Sequence, residues 1–213
     1  MSMSAEQRER MVLQHLVGRG VHDVRVLEAM RAVPREAFVP ETMRDRAYED
    51  RPLPIEEGQT ISQPYVVAVM AEALEIGPDD RVLEVGAGSG YAAAVLGRLA
   101  REVFAIEWYE SLATSAAHRM RSLGIQNVHV VHGDGTQGLA DQAPFDAILV
   151  SAAGPEVPET LLQQLAVGGR LVIPVGVTPY DQELLVIRRT GEQSFERRSL
   201  GSVAFVPLLG AEG

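Results

Sequence analysis

Val82-Leu-Glu-Val-Gly-Ala-Gly-Ser-Gly-Tyr91 decides the fold. Apolar residues around Glu84 read as a short strand. Glycines at 86, 88 and 90 read as a tight loop, and a helical pattern begins at Tyr91. Glycine lets a backbone turn sharply and approach a ligand closely. A glycine loop after the first strand of an open α/β sheet occupies a nucleotide-site position. Downstream, the pattern predicts strands at 81–85, 102–106, 128–131, 145–150 and 170–175, with helices at 91–100, 110–123 and 158–165. This alternation implies parallel strands covered by helices on both faces. Past Pro174, strand-like segments at 183–189 and 196–206 have no helix between them, which predicts an antiparallel hairpin at the edge of a seven-stranded sheet.

Upstream the chain reads differently. A helix from a Ser4 cap carries Met11, Val12, His15 and Leu16 at helical spacing, and Gly18-Arg-Gly20 stops it. A second helix, at 22–32, aligns Val24, Leu27 and Met30. Pro34 opens a short third, and Pro40 closes it. Arg51-Pro-Leu-Pro-Ile-Glu-Glu-Gly-Gln-Thr-Ile-Ser-Gln63 reads as an irregular connection, and Pro64 suits the first position of a helix to about 74. Residues 1–213 are therefore expected to form a single domain, with a helical extension and loop at 1–63 and a core at 64–213.

Composition narrows the chemistry. The chain has 213 residues and a net charge of −10, with a pI near 5.0. Hydrophobic residues at 46% and charged residues at 23% are ordinary for a soluble globular protein. The acidic balance disfavours nucleic-acid partners and acidic membrane surfaces. All 19 cationic side chains are arginine, so no lysine is present for a Schiff base or a Walker A loop. There is no cysteine, which removes thiolate nucleophiles, thiolate zinc sites and disulfides. No apolar stretch is long enough to span a membrane and the first residues lack a secretory pattern, so a cytoplasmic protein is expected. A monomer is the separate expectation for its assembly.

The loop spacing distinguishes between cofactors. A dinucleotide fingerprint is G-x-G-x-x-G with a pyrophosphate at the helix N-terminus. Here the pattern is G-x-G-x-G preceded by Glu84. It better matches the first motif of class I S-adenosylmethionine-dependent methyltransferases, whose Rossmann-like fold is the class expected. Gly86, Ala87, Gly88, Ser89 and Gly90 are then the loop against the cofactor. Glu107, ending the second strand, suits the two ribose hydroxyls. Trp108 is a candidate to flank the adenine, with a partly buried packing role as the alternative. Asp134, followed by Gly135, is a candidate acceptor for the adenine amino group.

Gly58-Gln-Thr-Ile-Ser-Gln-Pro64 is the most specific segment beyond that motif. Together with Ala29-Met-Arg-Ala-Val-Pro-Arg-Glu-Ala-Phe-Val-Pro40 and Phe205-Val-Pro-Leu208, it resembles the protein-L-isoaspartate (D-aspartate) O-methyltransferase family. The resemblance runs from about Val26 to Leu208. It implies methyl transfer from S-adenosylmethionine to the α-carboxylate of L-isoaspartyl residues in damaged proteins, with S-adenosylhomocysteine as product. The ester then collapses to a succinimide, and hydrolysis returns some normal aspartate. The resemblance further implies Ser62 as the active-site residue, with Thr60, Ile61 and Val206 contributing to the acceptor site. Glu56 stands where family members often have glycine.

Physical chemistry is compatible with this reaction. A carboxyl group with a pKa of about 3.5 is ionised at neutral pH and needs no strong base. Alignment and exclusion of water are then the main requirements. The Ser62 hydroxyl can hold the carboxylate in line, although a serine beside Pro64 equally suits a helix cap. Tyr65 is a candidate to close over the cofactor. His129 and His132, three apart on a strand, face opposite sides, so no metal site is expected. Asp45, Glu49 and Asp50 read as a solvated acidic run, and the Arg188-Arg189 and Arg197-Arg198 pairs as surface charges. The alternatives are a related O-methyltransferase acting on aspartate of a dedicated peptide or on a small-molecule acid, and a non-catalytic adenosyl-binding protein.

Overall fold

In the computed structural model, which describes residues 3–178 and 180–210, the second half of the chain forms one sheet flanked by helices. The elements in chain order are α1 (Met3–Met11), α2 (Val24–Ala32), β1 (Leu53–Pro54), β2 (Thr60–Ile61), α3 (Pro64–Ala73), β3 (Arg81–Val85), α4 (Tyr91–Leu96) and β4 (Glu102–Glu107). There follow α5 (Glu110–Ser122), β5 (Val128–His132), β6 (Phe145–Val150), α6 (Glu159–Gln164), β7 (Leu165–Val175), β8 (Glu183–Arg189) and β9 (Phe195–Ser202).

The sheet order is β5-β4-β3-β6-β7-β8-β9. Pairs from β5 to β7 are parallel, and the β7–β8 and β8–β9 pairs are antiparallel. The mainly parallel sheet with its C-terminal hairpin is as the residue pattern predicted. In β3 and β6, Val82, Leu83, Val85 and Ala147 to Val150 are all buried, as strands covered on both faces must be. The chain leaves β3 for β4 on one side and later returns to β6 on the other. This reversal opens a crevice at the C-terminal ends of β3 and β6.

Several boundaries differ from expectation for local reasons. α4 stops at Leu96 rather than near 100, because Gly97 ends it. The Asn127 amide donates to the Gly97 and Ala100 carbonyls at 2.9 and 3.2 Å and satisfies that frayed end. The first helix loosens after Met11 into a π turn and then a 3₁₀ turn, and left-handed Gly20 ends it. The 51–63 connection is not wholly irregular, since Leu53 pairs with Ile61 and Pro54 with Thr60 in a small hairpin. Strands of two residues, one of them a proline, carry too little alternation to be read from sequence.

The N-terminal segments are anchored to the core. Asp23 caps α2 by accepting from the Arg25 and Val26 amides at 2.7 and 3.1 Å. α2 packs on α3 and α4. Arg35 is completely buried, donates to the Ala47 carbonyl at 2.7 Å, and lies 4.8 Å from the Tyr91 ring centroid. Asp50 is not merely solvated surface acid. Its carboxylate accepts from the Gln63 amide at 2.9 Å and from the Tyr65 backbone N–H at 3.0 Å, which ties the start of α3 in place. Arg189 likewise turns inward to the backbone, bonding the Leu165 carbonyl at 2.5 Å. His129 pairs with Glu102 at 3.2 Å and lies 5.2 Å from the Phe104 ring.

Candidate active site

The crevice contains three adjoining cavities. One lies over the glycine loop and is lined by Gly86, Gly88, Glu107, Trp108 and Gly135, among others. A second, of about 460 Å³, lies between the start of α3 and the segment after β9. A smaller third lies between them, against Glu84. Thr60 and Ser151 line all three, so these two residues mark the point where the cavities meet.

The loop over the first cavity is rigidly held. Gly86, Gly88 and Gly90 all have positive φ, at 82°, 53° and 88°, a region L side chains rarely adopt. The Gly86 and Ala87 amides donate to the Ile106 carbonyl at 2.9 and 3.0 Å. Glu107, only 5% exposed, braces the loop from the next strand. Its two carboxylate oxygens accept from the Gly88 and Tyr109 amides at 2.7 and 2.9 Å. Each oxygen keeps a lone pair for a further donor. Trp108 is 43% exposed at the same rim.

Not every residue singled out from the sequence reaches that wall. Ala87 and Ser89 line the small cavity instead. Gly90 lines none of the three; it packs beneath the loop, where an added Cβ would come within 2.7 Å of Met120 and 3.2 Å of Ala116. Asp134 is not among the lining residues either. Its Oδ1 accepts from the Thr136 amide and hydroxyl at 2.9 and 2.6 Å and shapes the turn that presents Gly135. At Gly135 any side chain would collide with Val85. Tyr65 lies on the second cavity rather than over the first.

Ser62 lines both the second and the small cavity. It does not cap α3: Gln63 is the cap residue, no side chain of its own caps the helix, and Asp50 serves the first turn from outside. The hydroxyl is therefore not engaged in capping. Ile61 is 3% exposed and touches only the small cavity, so its side chain belongs to the core rather than to the second cavity. Val206 lines the first and second cavities. It is fixed there by its carbonyl, which accepts from the Ala153 N–H at 2.9 Å, and by the Leu208 N–H, which donates to Ala153 at 2.8 Å.

Two important residues carried no assigned role in the sequence. Ser151 directly follows β6, a position the rule for strand C-termini would have marked. Its hydroxyl donates to Glu84 at 3.1 Å. Glu84 is fully buried, and its second oxygen, Oε2, has no hydrogen-bond partner. Burial, aided by nearby Glu107, pushes its carboxyl up to about 8, against the opposing pull of Ser151. A buried acid with one idle oxygen beside a cavity fits a cationic donor group, such as the ammonium of an amino-acid ligand.

A doubly wound sheet with a glycine loop, a braced acid on the next strand and a crevice at the switch point defines the class I S-adenosylmethionine-dependent methyltransferase fold. The family model described as protein-L-isoaspartate (D-aspartate) O-methyltransferase matches residues 6–213. A curated relative from Pelobacter propionicus, protein-L-isoaspartate O-methyltransferase 2, is 58% identical over 97% of this chain and 92% of its own. A solved protein-L-isoaspartate O-methyltransferase superposes with a TM-score of 0.88 at 31% identity, covering 97% of this chain and 67% of that one. Another, from Plasmodium falciparum and solved with S-adenosyl-L-homocysteine, gives a TM-score of 0.80 at 27% identity over 95% and 98% of the two chains. The chain belongs to the protein-L-isoaspartate (D-aspartate) O-methyltransferase family.

Proposed function

We propose that the protein transfers a methyl group from S-adenosylmethionine to the α-carboxylate of L-isoaspartyl residues in damaged proteins, which starts their repair through a succinimide. The observation that carries this reading, beside family membership, is the junction at Thr60 and Ser151. There a cleft over a glycine loop opens onto a separate cavity bearing Ser62.

When bound, S-adenosylmethionine supplies an electrophilic methyl on a sulfonium. Glu107 is assigned to the ribose hydroxyls, Trp108 to the adenine and Glu84 to the ammonium; the buried idle oxygen of Glu84 supports the last of these. The acceptor carboxylate oxygen forms the new bond to carbon as the carbon–sulfur bond breaks and its electron pair returns to sulfur. No proton need leave the acceptor, so a base is not required. Ser62 is assigned to hold the carboxylate by donating its hydroxyl proton into a hydrogen bond, with Thr60 and Val206 shaping the approach. Supporting this, Ser62 lies on both cavities and is not the cap residue of α3.

In this proposal residues 1–63 carry the acceptor loop and 64–213 the cofactor core within one domain. The reading extends to an enzyme that works as a cytoplasmic monomer. Radiolabelled methyl transfer to an isoaspartyl peptide, beside its normal aspartyl isomer, tests the reading. Labelling of the isoaspartyl peptide alone is expected. Labelling of the aspartyl isomer, or of neither, overturns it, and sedimentation tests the monomer.

A further inference from the structure

The second cavity holds one charged side chain, Arg19. The remaining polar side chains on its wall are those of serine, threonine and tyrosine residues and Gln63. Arg19 lines neither the cleft over the glycine loop nor the small cavity, so it is set apart from the point of methyl transfer. It lies in the 3₁₀ turn Val17–Arg19, which left-handed Gly20 ends, and its side chain is 45% exposed.

Two contacts fix the guanidinium. Its carbon lies 3.5 Å from the centroid of the Tyr65 ring, a stacked cation–π arrangement. Nη1 donates to Asp50 at 2.7 Å, its only hydrogen-bond partner among the described residues. The Asp50 charge is shared among other donors: the Gln63 amide, the Tyr65 backbone N–H and the positive end of α3. Arg19 therefore keeps free donors on a pre-oriented planar fork, the geometry that suits a carboxylate. The protein carries a net charge of −10, so its overall field does not attract acidic peptides and a local cation has to do so.

We infer that Arg19 is a specificity-determining residue: it forms a subsite for a second carboxylate on the acceptor, that of an acidic residue flanking the isoaspartyl residue in the peptide. The inference rests on the proposed isoaspartyl activity. An acidic neighbour strengthens binding through Arg19 and leaves the methyl-transfer step alone, so the gain falls on KM.

A peptide series tests it. One isoaspartyl peptide is made with Glu or Gln at each position within two residues of the isoaspartate, and kcat/KM is measured for wild type and Arg19→Gln at low salt. At one or more positions wild type favours Glu over Gln by about three- to five-fold, the scale of a partly exposed charge pair. The ratio collapses to about one in Arg19→Gln, whatever happens to the absolute rates, and in wild type it falls in 0.5 M NaCl. A wild-type ratio near one at every position overturns the inference, as does a ratio that survives in Arg19→Gln. Should that variant not fold, a salt-insensitive wild-type ratio overturns it equally. If wild type methylates none of the peptides, the functional reading itself fails; methylation with flat ratios defeats only the role of Arg19.

Discussion

Replacing Glu84 by Gln should stabilise the ligand-free protein, increasingly so as pH rises. The carboxyl moves from its ordinary value of 4.5 to about 8 on folding, chiefly because it is fully buried, with the Glu107 charge adding to the rise. Its folded-state value lies above the unfolded one, so its contribution to stability is complete below pH of about 4.5 and is lost as pH rises through about 8. Every tenfold change in proton affinity is worth about 1.4 kcal/mol, so the whole loss is on the order of 5 kcal/mol. That is a large share of the ~5–15 kcal/mol that holds a domain together. Urea unfolding of wild type and Glu84→Gln between pH 5 and 8.5, without cofactor, isolates the effect, since the other titrations cancel in the difference. Glutamine keeps the shape and a donor for the same pocket. The variant should match wild type near pH 5 and gain on it by several kcal/mol by pH 8. A difference that stays within about 1 kcal/mol across the range would refute the buried, protonated Glu84. If Glu84 receives the ammonium as proposed, S-adenosylhomocysteine should narrow the gap at pH 8, because that ammonium would stabilise the ionised carboxylate that Gln cannot offer.

Other expectations concern single side chains. Ser62→Ala should bind S-adenosylhomocysteine as wild type does by calorimetry yet lose most turnover; wild-type rates from it would remove the assigned role. Glu107→Ala deprives the Gly88 and Tyr109 amides of their acceptor, and charged hydrogen bonds contribute about 1.5–3 kcal/mol each. Its affinity for S-adenosylhomocysteine should therefore fall by at least about ten-fold. Gly135→Ala drives a methyl group into Val85 beneath the first cavity, at a cost of about 1–3 kcal/mol in thermal or urea unfolding.

The fold was legible because its strands are apolar runs punctuated by Gly and Pro, and because the loop at 86–90 marks where the first of them ends. What escaped was set by contacts distant in sequence. Nothing local shows that Asn127 satisfies the carbonyls past α4 or that Asp50 secures α3 from 13 and 15 residues away. The site divided in the same way. Gly86, Gly88, Glu107, Trp108 and Gly135 line the first cavity, as strand-end reasoning expects. Gly90 and Asp134 act one layer behind, since a glycine or an aspartate in such a turn serves backbone geometry as readily as a ligand. Ser151 stands at a strand end that the switch-point rule marks, but its residue type alone does not show which partner it meets. Its importance comes from facing Glu84 and three cavities at once.

The meeting of two cavities at Thr60 and Ser151 also dictates the kinetic order of the reaction. On the proposed reading, donor and acceptor occupy separate chambers and Ser62 only donates a hydrogen bond, so the methyl group is not parked on the enzyme between half-reactions. Both reactants must be in place together, and the group passes once, directly, through the shared opening. Initial-rate plots at several fixed donor concentrations should intersect rather than run parallel, and a methyl group made chiral with hydrogen isotopes should arrive on the acceptor inverted.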